Sequence, residues 1–109
     1  MGKAGMFAKI VRWRLSPEIQ GEQAYDQFIR DLSRRNTPVL RDHGLLDGFV
    51  VRIAPDMILT MNLYESEADA ESAWRDVIVK LGAELDGRLE LIERYVGPAV
   101  DMPMLLDET

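Results

Sequence analysis

Apolar positions change period several times along this chain, and each change marks an element. Residues 7–15, Phe-Ala-Lys-Ile-Val-Arg-Trp-Arg-Leu, are rich in β-branched and aromatic side chains and stop at Ser16-Pro17, which predicts a first strand and a break. From about Gly21 the spacing shifts to three, four and seven. Tyr25, Phe28, Ile29, Leu32, Val39, Leu40 and His43 then line one side of an amphipathic helix over roughly residues 20–43. Pro38 removes an N–H from that ladder, so a kink or restart is expected after Thr37, and Gly44 supplies the stop. Residues 49–54 and 57–64 are two β-type runs joined by the turn dipeptide Pro55-Asp56, which predicts a hairpin. Ser66, with Asp69 three residues on, is an N-cap signal for a second helix. Its apolar line is Ala70, Ala73, Trp74, Val77, Ile78, Leu81 and Leu85, ending near residue 84 with Gly82, Asp86 and Gly87 as a frayed terminus. Residues 89–96 read as a fourth strand, closed by Gly97-Pro98. The tail 101–109 carries Met102, Met104, Leu105 and Leu106, too apolar for a solvated end, and is expected to rest on the body or on a partner.

The order β-α-β-β-α-β is the split βαβ of ferredoxin-like α+β folds: one four-stranded antiparallel sheet with both helices on one face. Strand alternation in the third strand sends Met57, Leu59, Met61 and Leu63 to one side and Ile58, Thr60, Asn62 and Tyr64 to the other. Two helices cover one face only. The unbroken apolar side therefore calls for a second copy of the chain, and the mixed side lies under the helices.

Composition narrows the chemistry. The 109 residues suit a single domain, with its core at about 6–100. The absence of cysteine excludes disulfides, thiolate metal sites and a cysteine nucleophile. A net charge of −6 offers no footprint for nucleic acid or for acidic membranes. No apolar run is long enough to span a bilayer, and Lys9 and Arg12 interrupt any secretion signal, so a cytoplasmic location is expected. No metal motif or Gly-rich phosphate loop is present, so neither metal, flavin nor nucleotide is expected as a cofactor.

Several short segments, in order and spacing, carry a resemblance: Met6-Phe7-Ala8-Lys9 opening the first strand, Pro38-Val39-Leu40-Arg41, Gly44 and Gly48, Leu63-Tyr64-Glu65-Ser66, and Glu93-Arg94-Tyr95. On these the chain resembles the antibiotic biosynthesis monooxygenase family of the dimeric α+β barrel superfamily. The resemblance implies a homodimer with a pocket between helices and sheet. It also implies a cofactor-independent oxygenase of aromatic, polyketide-type phenols or hydroquinones. Quinone-forming members place an Asn on the third strand and a Trp four residues later, where this chain has Thr60 and Tyr64, with Asn62 between them on the same face. The haem-degrading branch uses a histidine on the second helix, which has none here. The other readings are a non-catalytic ligand-binding or regulatory domain and a haem-binding protein using His43.

The residues that bear on these readings are few. His43 is the only imidazole and the candidate base. Asn62 and Tyr64 are candidate hydrogen-bond donors to an oxyanion, Thr60 a ligand contact, Trp74 a flat wall for a ring, and Arg12 a cation for a phenolate. Each has a plainer role: His43 at a helix C-terminus, Trp74 in the core, Arg12 in a surface ion pair with its neighbour Arg14 alongside.

Overall fold

A computed structural model describes residues 6–80 and 87–102. β1 (Phe7–Leu15) leads through a 3-10 turn (Pro17–Ile19) into α1 (Glu22–Asp42). The hairpin β2 (Leu45–Ala54) and β3 (Met57–Tyr64) follows, then α2 (Glu67–Ala73), a π-helical turn (Trp74–Ile78) and β4 (Leu89–Pro98). The strands form one antiparallel sheet in the order β2-β3-β1-β4, so the ferredoxin-like architecture is as the alternation of elements dictates.

Some boundaries differ from the sequence reading. α1 does not break at Pro38. Pro38 and Arg34 are both exposed, so the carbonyl deprived of its donor lies on the watered side of the helix. β2 starts at Leu45, four residues early, because Gly44 takes a φ of +86° and turns the chain straight from helix into a strand paired with Tyr64. β4 runs two residues further, to Pro98. The expected end of the second helix near residue 84, and Met104, Leu105 and Leu106 of the tail, lie outside the described residues; Met102 is exposed.

Alternation works as expected. Val11, Trp13, Leu15 and Ile58 face the helices and pack with Ile19 and Phe28. A second cluster gathers Leu40, Tyr64, Ala70, Ala73 and Val77 beneath α2. The Ser66 hydroxyl accepts from the Asp69 N–H at 3.1 Å, which caps α2. On the other face Met61, Phe49, Val51, Ile53 and Tyr95 stand at 38–56% exposure, beside the ion pairs Arg12–Glu93 and Arg14–Glu90.

Gly44 joins these parts. Its carbonyl accepts from the Glu65 N–H, and a Cβ at Gly44 would run into the Asp69 carboxylate. Gly44→Ala is therefore expected to destabilise by about 2 kcal/mol, left-handed strain plus the clash, read as a lower midpoint in urea denaturation with unchanged slope.

Candidate functional site

A cavity of about 230 Å³ lies between α1 and the sheet. Its apolar part is made by Trp13, Leu32, Leu40, Ile58, Ile78 and Leu89. Asn36 and Thr37 of α1 and Thr60 and Asn62 of β3 bring polar atoms to it, and the exposed Arg41, Leu46 and Asp47 form its rim. Such a lining, apolar with few converging polar groups, is what small aromatic ligands bury against.

The polar groups on β3 are set by the strand pairing. Thr60 accepts from the Trp13 indole N–H at 3.0 Å, which satisfies the polar end of that buried ring. Asn62 Nδ2 donates to Tyr64 Oη at 3.4 Å, a long bond. Gly48 pairs with Asn62 across the hairpin, and a Cβ there would stand 3.0 Å from Asn62 Oδ1. A glycine at that point gives the amide room beside the cavity. Asn36 is already engaged, donating to Leu32 O at 2.9 Å.

Of the residues nominated from sequence, Thr60 and Asn62 line this cavity. Tyr64 follows Asn62 on the same strand face and is fully buried. Burial pushes its phenol above the usual tyrosine range, and the Asn62 hydrogen bond offsets part of that. Arg12 faces the opposite side of the sheet: its pairing with Leu59 and its 2.6 Å bond to Glu93 put it on the open face, away from the cavity. His43 is the C-cap of α1 and is not part of the lining. Its Nδ1 lies 2.9 Å from Val39 O and its Nε2 3.5 Å from Asp76 Oδ2, so the C-terminal geometry turns the ring back on its own helix. Asp76 is held below the usual carboxylate range, first by Arg75 and, against an opposing burial effect, by His43.

Trp74 is also outside the lining. It opens the π-helical turn, and the Lys9 ammonium and Arg94 guanidinium lie 4.8 and 4.7 Å from its ring centre. Sequence reasoning passed over Lys9 and Trp13, although β1 alternation already puts both on the helix side. Among the described residues no group of three His, Asp or Glu gathers as a metal site, and no helix is long and apolar enough to cross a membrane.

The buried Tyr64 makes stability depend on alkaline pH. The folded phenol keeps its proton above pH ~10, where the unfolded one loses it, so the unfolded state binds fewer protons and stability falls as pH rises past that value. Tyr25 is raised by burial too and adds to the same limb. Tyr64→Phe is expected to reduce, without abolishing, the loss of unfolding free energy between about pH 9 and about pH 11 in denaturant titrations.

No protein-family model matches the sequence, and a sequence search of curated proteins returns no match. Solved structures do match. A variant of SnoaB from Streptomyces nogalater, described as a cofactor-independent oxygenase, is similar at a TM-score of 0.67 and 13% identity, over 90% of this chain and 96% of that one. A protein from Chloroflexus aurantiacus designated an antibiotic biosynthesis monooxygenase is similar at 0.62 and 18% identity, over 89% and 95%. A dimeric ferredoxin-like protein from an uncultured marine organism is similar at 0.65 and 11% identity, over 88% and 96%. With four antiparallel strands and two helices on one face, the chain has the ferredoxin-like α+β fold that these structures share.

Proposed function

We propose that this protein takes a phenol or hydroquinone of one or two fused rings into the cavity under α1 and oxidises it with dioxygen without a bound cofactor. The observation that carries this reading is Asn62: an amide beside an apolar, helix-covered space, with Gly48 opposite making room for it. The fold shared with a cofactor-independent oxygenase supports it.

The chemistry asks little of the protein. The phenol loses its proton to water at the exposed rim, where the Arg41 guanidinium favours the phenolate. The phenolate gives one electron to dioxygen. The resulting radical pair joins at a ring carbon, and the O–O bond then breaks as that carbon loses its hydrogen. One oxygen atom stays on the ring as a quinone carbonyl and the other leaves as water, so phenol plus dioxygen yields quinone plus water. Asn62 donates to the oxyanion, and the apolar floor keeps water from the radical pair.

The expected result is oxygen uptake equal to quinone formed with a panel of naphthols and hydroquinones, falling about 10²-fold in Asn62→Ala. Saturable binding with no uptake assigns the cavity to a non-catalytic binding domain.

The same reading makes the protein a homodimer joined through the open face of the sheet, as the marine ferredoxin-like protein is described as dimeric. An exposed apolar face of five strand residues has water as its only alternative. Leu59→Lys is expected to give a folded monomer in analytical ultracentrifugation, since an unpaired ammonium entering an apolar layer costs several kcal/mol. A folded Leu59→Lys dimer removes this face from the interface.

A further inference from the structure

Lys9 is the charged residue most deeply buried among those described, at 6% exposure, and no role assigned so far uses it. Strand register makes it the cross-strand partner of Asn62, with side chains on the same face and Cβ atoms about 5 Å apart. Its ammonium is held over the Trp74 ring at 4.8 Å, with Arg94 over the same ring at 4.7 Å. β1 thus carries a cation at the position paired with the amide that lines the cavity.

We propose that Lys9 is a positioning residue for the charge of the ligand: seated on Trp74 and paired with Asn62 in the strand register, it makes the cavity select the anionic form of a phenol, acting through the Asn62 amide. This rests on the reading that the cavity takes a phenol, and it names the form in which the phenol is held. One Asn62 N–H is on Tyr64 Oη, which leaves the second for the ligand, and the positive charge carried by its cross-strand partner favours an anionic acceptor there, in surroundings where water screens little. Charge of both signs faces the amine: Glu71 on α2 raises its proton affinity, while burial, the largest influence, and Arg94 on β4 lower it. Tyr64, the other titratable group beside Asn62, stays protonated because burial raises its phenol. An apolar cavity without such a cation has the opposite effect on a ligand, since desolvation disfavours the phenolate.

The test is the acidity of a bound phenol. 4-Nitrophenol, whose phenolate absorbs where the phenol does not, is titrated spectrophotometrically free and bound to the full chain. The wild-type protein is expected to lower the probe's pKa by about one unit, a tenfold preference for the anion. Lys9→Met abolishes that shift and Lys9→Arg retains it. A bound pKa equal to or above that of free 4-nitrophenol overturns the proposal with no variant needed. So does a shift that survives in folded Lys9→Met. If neither 4-nitrophenol nor 1-naphthol binds, the phenol reading itself falls; if they bind and are oxidised with no shift in acidity, only the role of Lys9 falls.

Discussion

The whole arrangement depends on one constraint: a four-stranded sheet has two faces, and this chain supplies helices for one. Strict alternation along β1 and β3 sends Val11, Trp13, Leu15, Ile58 and Tyr64 under α1 and α2, where they become the core. The same alternation leaves Met61 and its neighbours uncovered on the other side. Neither face can change without the other, because a slip of one residue would exchange them.

The helix side is not uniformly apolar, and its polar atoms are arranged in a line that follows the strands. Trp13 N–H meets Thr60, Asn62 meets Tyr64, and Lys9 meets the Trp74 ring. Trp13 and Lys9 are matched through side chains from other segments, as burial of a polar group demands. Asn62 is the least completely matched, with a single 3.4 Å bond to Tyr64 and its oxygen toward Gly48. That incomplete matching beside a cavity is the feature on which the proposed ligand contact rests.

The open face is organised differently. Arg12 and Arg14 of β1 pair with Glu93 and Glu90 of β4, and Tyr95 donates to Glu93. Pairs of this kind, with side chains a third or more exposed, add little stability in water. Their cross-strand match instead agrees with the register of β1 on β4, and it keeps opposite charges together at one end of an otherwise apolar surface.

Periodicity in the sequence by itself determined the element order, the sheet with two helices on one side, the faces of β3 and the position of Asn62 and Thr60 beneath the helices. These follow from local rules, the 2- and 3.6-residue periods and the caps, which act over a few residues. The alternation in β1 likewise separated Arg12 from Trp13, and so already set Arg12 apart from the cavity. Tertiary structure decided what local rules leave open. His43 lies on the apolar line of α1, yet the helix end turns its ring to Val39 and Asp76. Trp74 lies on the apolar line read for the second helix, yet the π-helical turn brings it to Lys9 of β1 and Arg94 of β4 and not to the cavity. Lys9, a residue type that usually stays in water, is buried only because that helix covers it. Which side chains meet across elements depends on strand register and helix docking together, and both are settled by the packing of the entire core.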